Sequence, residues 1–199
     1  MPTADEFQKV TDRLYFWQVY DPAVKADLSC CARRGPGGLI FIDPIPLEEA
    51  SLESLVAESA PLGIVLTSGN HARAAEAYRS RFSIPVYAHL AAEPHLGLCI
   101  DQRVAENDRL FDALTVIELP GAAPGEIALY DESTLHVGDA LIHLPPHGLA
   151  ILPEKYCSDP RELRVAMQKL LRFRFQILTF AHGFPIVNQA SSRLAQLFP

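Results

Sequence analysis

A mixed α/β domain, with β-sheet covered by helices, is the fold class this sequence predicts. Three observations carry that prediction. Short segments with strand-like alternation or continuous apolarity trade places along the chain with segments of helical spacing. Sixteen prolines are spread over the 199 residues, which argues against a helical bundle because each fixes φ and removes a backbone donor. Apolar residues make up 49% and charged residues 21%, the balance of a chain that buries a core. The length fits one ordinary domain, taken as residues 1–199.

The first forty residues read as strands. Tyr15, Trp17 and Val19 alternate with Phe16 and Gln18, and Leu28 to Arg33 forms a second segment. Gly35-Pro36-Gly37-Gly38 turns the chain into Leu39-Ile40-Phe41-Ile42-Asp43, a continuous apolar run that suits a strand buried on both faces. Pro46 is suited to start a helix that presents Leu47, Leu52, Leu55 and Val56. Gly63 to Thr67 returns as a strand, His71 to Phe82 reads as a helix, and Pro85 to Ala88 is the next strand. Leu114–Leu119, Ile127–Tyr130 and Leu135–Val137 continue the β pattern, followed by a proline-broken loop from His143 to His147. Ser158 or Asp159 ahead of Pro160 marks a helix start. That helix places Leu163, Met167, Leu170 and Leu171 inward, with Arg161, Arg164 and Lys169 outward. A strand from Gln176 to Thr179, a loop to Pro185 and a closing helix reaching Phe198 complete the chain. Ile64 to Thr67 and Ile177 to Thr179 each lead through a short histidine-containing loop to a helix, which places both loops at strand C-terminal ends, where α/β proteins form ligand sites.

Charge and cysteine content bound the function. Seventeen basic against 24 acidic side chains give −7, so the chain offers no broad positive field for nucleic acid or an anionic membrane. No apolar run reaches the length of a membrane span, and Met1 to Val10 lacks the pattern of a secretory leader. Cys30, Cys31, Cys99 and Cys157 show no zinc-ribbon or redox spacing, and adjacent Cys30 and Cys31 read as strand residues on opposite faces. A cytoplasmic location follows as the expectation, with a homodimer possible.

Five short motifs, in order, then carry a resemblance. They are Phe41-Ile42-Asp43-Pro44, the run Thr67-Ser68-Gly69-Asn70-His71-Ala72-Arg73, Gly121-Ala122-Ala123-Pro124-Gly125-Glu126, Gly138-Asp139-Ala140-Leu141 and Ala181-His182-Gly183. Their order from about Leu28 to Pro185 resembles the metallo-β-lactamase-fold hydrolases. The corresponding family segments are a strand ending in Asp, T-H-x-H-x-D-H, G-H-T-P-G-S, G-D-x-L and a G-H-G-like turn. The resemblance implies a four-layer αββα sandwich. It also implies metal ligands at Ser68, Asn70, Ala72, Arg73, Ala122, Asp139 and His182, of which only Asp139 and His182 can ligate as the family does. Three imidazoles are missing from the first zinc position and two donors from the second, too few to hold the metal that lowers the pKa of water in such hydrolases.

Two functions follow as expectations. One is a member without catalysis, repurposed to bind a small molecule or a protein partner and needing no cofactor. The other is a hydrolase of ester, thioester or phosphoester bonds with one zinc or similar ion, completed by His71 or His143. His71 falls on a spacer position of the metal motif and is expected to point away from the metal positions unless the loop is rebuilt. His143 is expected at the same rim, with His147 beyond it, and His89, His95 and His136 read as ordinary. Arg73 has two readings: a guanidinium paired with Asp139 in place of the lost ion, or an exposed residue of a helix's first turn. Ser68, His182 and Asp139 also admit a serine triad, though without a nucleophile elbow.

Overall fold

Alternation along one strand sets up the layers. In the computed structural model, which describes residues 1–198, β2 (Leu14–Asp21) sends Tyr15 and Trp17 to one side and Leu14 and Phe16 to the other, all four buried. The strand is therefore covered on both faces. Its sheet runs β1 (Gln8–Thr11), β2, β3 (Ala26–Gly35), β4 (Gly38–Ile42), β5 (Pro61–Leu66), β6 (Val86–His89) and β7 (Gln102–Val104), antiparallel up to β4 and parallel from β4 onward. Parallel neighbours need crossovers, supplied by α1 (Glu49–Glu58) between β4 and β5 and α2 (Ala75–Phe82) between β5 and β6. A short α3 (Glu93–Leu96) follows β6.

The second sheet contains β8 (Arg109–Leu110), β9 (Leu114–Glu118), β10 (Ile127–Asp131) and β11 (Thr134–Val137), and β14 (Ile177–Phe180) joins β11 in parallel; β12 (Leu141–Leu144) and β13 (Gly148–Ile151) form a separate hairpin. Helices α4 (Pro160–Met167) and α5 (Ala190–Ala195) cover this sheet.

Three cores match the four layers. Trp17, Phe41, Leu55 and Tyr78 fill the space between the first sheet and its helices. Leu135, Leu163, Met167 and Leu194 fill the corresponding space on the second sheet. Phe16, Ile40, Ile42, Val65, Leu114 and Leu129 pack between the sheets. This is the αββα sandwich the motif order implies. Cys30 faces the outer core and Cys31 the inter-sheet core, on opposite faces of β3 as strand alternation requires.

Element boundaries differ in instructive ways. The first helix starts at Glu49, because Glu48 caps it by accepting from the backbone N–H groups of Ala50 and Ser51. The second starts at Ala75, since Arg73 holds a left-handed φ of 38° that no helix accommodates. Asp159 caps α4 ahead of Pro160, as read from the sequence. Leu171 lies in a 3-10 turn (Gln168–Arg172) after α4 and is 39% exposed, where helical continuation predicts burial.

Candidate functional site

Four strand ends meet at one rim. Strands β4, β5, β11 and β14 deliver Asp43, Thr67, Asp139 and His182 from the C-terminal ends of both sheets. Close packing lets the loops converge. A Cβ on Gly138 would lie 2.4 Å from Thr67 Oγ1 and 2.7 Å from Glu126 Oε1, and a Cβ on Gly183 would fall on the carbonyl of His143. Glycine at both positions brings Asp139 and His182 within reach of the first sheet.

His71 is the centre of the arrangement. It turns inward, contrary to its reading as a spacer residue, and is 1% exposed. Its Nδ1 lies 3.0 Å from Asp43 Oδ2 and 3.0 Å from Thr67 Oγ1, and its Nε2 lies 3.1 Å from Asp139 Oδ1. Thr67 donates its backbone N–H and its hydroxyl to Asp43. Asp139 Oδ2 accepts from Asn70 Nδ2 at 2.9 Å. His182 Nε2 stands 3.3 Å from Asp139 Oδ1, and its Nδ1 stands 3.0 Å from the Asp27 carbonyl. Both ring nitrogens of His71 thus face acceptors.

Electrostatics follow that geometry. Burial pushes the His71 imidazole toward the neutral form, but the charges of Asp43 and Asp139 outweigh it and raise its pKa to about 10. Burial also acts to raise Asp139, yet His71 and His182 hold it well below the carboxylate range. Asp43 is lowered against its own burial by His71, Arg73 and Thr67. Glu126 goes the other way: burial and the neighbouring Asp139 charge push it well above the normal carboxylate range. Its Oε1 accepts from the Ala140 backbone N–H at 2.9 Å, while Oε2 has no partner. Glu126 was not among the residues expected at the site; its only sequence signal is that it stands where the family motif has a serine.

Arg73 does not pair with Asp139, and it does not project freely into solvent. Its Nη1 donates to the carbonyls of Ser29 (2.7 Å) and Asp43 (3.4 Å), and its Nη2 to the carbonyl of Ala181 (3.1 Å). One guanidinium thereby ties β3 and the end of β4 in the first sheet to the loop after β14 in the second. Ser29 adds a further stitch, donating to the Gly183 carbonyl and accepting from its N–H.

The other expected residues are placed as follows. Ser68 is fully buried, and its Oγ accepts from the Asn70 N–H at 3.3 Å; no hydrogen bond joins it to His182. Ala72 is half-buried and Ala122 buried, neither offering a donor. His143 is half-buried with Nδ1 at 2.7 Å from the Phe184 carbonyl, outside the converging group, and His147 is exposed beyond it. His136, read as ordinary, is fully buried, with Nδ1 2.7 Å from Thr179 Oγ1 and Nε2 without a partner.

Among the described residues, His71, Asp139 and His182 form the one group that converges on a point, with a ligand atom from each within 4.8 Å of the others. A tetrahedral zinc with bonds of roughly 2.0–2.1 Å separates its ligand atoms by about 3.3 Å, so this triangle has room for one ion. The contacts of His71 Nδ1 with Asp43 and of His182 Nδ1 with a carbonyl are the outer contacts a ligating histidine uses. Among the described residues no second group of three such side chains converges in this way.

Fold and site together define a sandwich with a strand-end centre shared between two sheets. The family model of the metallo-beta-lactamase superfamily matches residues 9–198, and the chain belongs to that superfamily. Among solved structures, it is similar to the DIM-1 metallo-beta-lactamase, with a TM-score of 0.76, 18% identity and coverage of 98% of this chain and 97% of that one. It is also similar to a metallo-beta-lactamase from Pontibacter korlensis, with a TM-score of 0.76, 14% identity and coverage of 96% and 97%. The di-iron-bound form of TTHA1623 has a TM-score of 0.65, 23% identity and coverage of 89% and 97%. No curated protein sequence matches the chain. No helix among the described residues is long and apolar enough to cross a membrane.

Proposed function

We propose that this chain is a superfamily member that does not hydrolyse its ligand and uses the strand-end rim to bind a polar small molecule or partner. One observation carries the reading: His71 is held between Asp43 and Asp139 with both ring nitrogens on acceptors. The two carboxylates are balanced from within by the His71 imidazolium and the Arg73 guanidinium, and burial disfavours a third negative charge on Glu126. Such a charge set needs no metal to be stable. Arg73, by bonding carbonyls of both sheets, does the structural work of holding the rim together. The half-buried His182 and the exposed Asn70 are the polar groups of the rim that solvent reaches.

A second reading is a mononuclear metal-dependent hydrolase, favoured by the triangle of His71, Asp139 and His182 and its outer contacts. An ion held by these three would supply Lewis acidity toward an ester, thioester or phosphoester. It would require His71 to give up the proton facing Asp139, in competition with a strongly stabilised imidazolium.

The deciding experiment combines elemental analysis after exposure to zinc, manganese and iron with nitrogen-15 NMR of the imidazoles at neutral pH. The binding reading expects no stoichiometric metal and a doubly protonated His71. About one equivalent of metal, lost in His182→Ala and accompanied by deprotonation of His71, overturns it in favour of the hydrolase.

A further inference from the structure

At the far side of the second sheet, α4 and the turn after it carry a charge unlike the rest of the molecule. Residues 160–175 hold five basic side chains (Arg161, Arg164, Lys169, Arg172 and Arg174) against one acidic, Glu162. The remainder of the chain holds 12 basic against 23 acidic. An acidic protein thus concentrates positive charge on one short segment.

The segment is divided lengthwise. Leu163, Met167 and Leu170 fall on the inner face and are buried. Arg161, Arg164, Val165 and Gln168 follow at helical spacing on the outer face, and all are exposed. Val165 is 69% exposed, the largest value among the exposed large apolar side chains. Val165, Leu171 and Phe198 line one groove of about 540 Å³ together with Gln168, Lys169 and Arg172. A smaller groove of about 210 Å³ continues past Leu171 and Phe198 to Arg174 and Ser191. Lys169 pairs with Glu106, but among the described residues no acidic group pairs with Arg161, Arg164, Arg172 or Arg174. Arg172 lines the first groove and Arg174 the second, while Arg161 and Arg164 stand on the exposed face of α4 beside them, so unpaired guanidiniums and exposed apolar side chains share one surface.

We propose that this face docks an acidic peptide segment of a partner protein, with one or two apolar side chains seated in the groove beside Val165 and Leu171 and carboxylates on the arginine rim. Charge complementarity selects that occupant. A second copy meeting this face across a two-fold axis would set arginines against arginines. A lipid surface is disfavoured because the strongly negative remainder of the chain would be repelled by anionic headgroups. The surface is separate from the strand-end rim, so the inference stands whichever function that rim has.

The test is fluorescence anisotropy with short labelled peptides in which glutamates flank leucine or phenylalanine anchors at helical and at extended spacings. Lysine-for-glutamate counterparts, phosphatidylserine vesicles and duplex DNA run alongside. We expect the acidic peptides to bind and the lysine counterparts to fail, with affinity falling as salt rises. In the double variant Arg164→Glu/Arg172→Glu we expect at least a roughly tenfold loss, and a comparable loss in Val165→Asp. All three positions are exposed, so the variants should keep the wild-type circular dichroism. Absence of binding by every acidic peptide overturns the proposal, as does binding that neither variant weakens. Preferential binding of vesicles or DNA over the peptides overturns it equally.

Discussion

Two fully buried histidines sit in this sandwich, one at the rim and one between the sheets, and their surroundings drive them apart. His71 has carboxylates on both ring nitrogens, and its pKa is raised to about 10. His136 has one hydroxyl partner and an Nε2 with none, and burial lowers its pKa to about 4. Burial acts on both in the same direction, favouring the neutral ring. The difference comes from contact: Asp43 and Asp139 touch the two ring nitrogens of His71, whereas His136 has no carboxylate in contact, and the more distant charges of Asp131 and Asp43 are opposed by Arg33 and do not offset its burial. A buried imidazole becomes a fixed cation only where the fold supplies enough negative charge to exceed its desolvation. At the rim the fold supplies two carboxylates, and the proton on His71 stands in the middle of them.

The strongest way to break this comparison is to delete each ring. His71→Ala leaves Asp43 and Asp139 buried without their shared cation, and we expect a loss of about 3–5 kcal/mol in chemical denaturation. His136→Leu removes one hydrogen bond to Thr179 but also an unpartnered buried nitrogen, so its cost should stay within about 1 kcal/mol. Equal costs for the two substitutions would dissolve the distinction.

Next in size is the pH dependence. His136 has a folded pKa below its unfolded value, so its neutral ring contributes stability that is fully present above about 6.5 and lost as pH falls through 4. A depression from 6.5 to about 4 corresponds to roughly 3 kcal/mol. His71 has the opposite sign: its stabilisation is fully present below about 6.5 and lost as pH rises through 10. Stability measured by denaturation at stepped pH should fall on both flanks. His136→Leu should flatten the decline between pH 6.5 and 4, while the loss from reprotonating Asp43 and Asp139 belongs below their ordinary range. His71→Ala should remove the alkaline limb. An acid limb unchanged in His136→Leu would show that the ring is not buried neutral.

These two residues also mark where sequence reading succeeds and stops. The layers were legible because alternation is local: Tyr15 and Trp17 against Leu14 and Phe16 already state that β2 is covered twice. Asp159-Pro160 announced its helix for the same reason. The rim was legible as positions but not as directions. Asp139 and His182 meet as the motif order implies, whereas the orientation of His71 depends on a loop whose backbone is held by Arg73 in a left-handed conformation. Arg73 is held in turn by carbonyls of Ser29, Asp43 and Ala181, up to 108 positions away. No local pattern encodes three backbone acceptors from two sheets. His136 alternates with Leu135 and Val137, so its face could be read, but that a second sheet seals that face is a tertiary fact.

Arg73 offers the third prediction. Arg73→Met keeps the aliphatic stem and removes every donor, leaving three carbonyls at the junction of the sheets short of a partner; we expect a loss of roughly 2–3 kcal/mol. Arg73→Lys should recover only part of it, because one ammonium cannot reproduce the planar fork that reaches Ser29 and Ala181 together. Full rescue by lysine would mean that charge beside Asp43, and not the bridging geometry, is what the residue provides. Because His71 owes its proton to Asp43 and Asp139, the imidazole should stay protonated at neutral pH in both variants.

Asn70 gives a small effect and the finest division between rim and interior. Its side-chain amide donates to Asp139 Oδ2, the oxygen that neither histidine engages. Asn70 is exposed, so water can replace the lost donor, and Asn70→Ala should cost only about 0.5–1.5 kcal/mol. Asn70→Asp is more informative, since it places a second carboxylate against the outer edge of Asp139 at almost constant shape. Repulsion should raise the pKa of the pair and leave the His71 ring, which contacts the inner oxygen, protonated as before. If nitrogen-15 NMR instead shows the His71 proton leaving in this variant, the two oxygens of Asp139 act as one unit. The rim then extends to the exposed side of the loop, and no sharp boundary separates the buried charge cluster from the polar groups that solvent reaches.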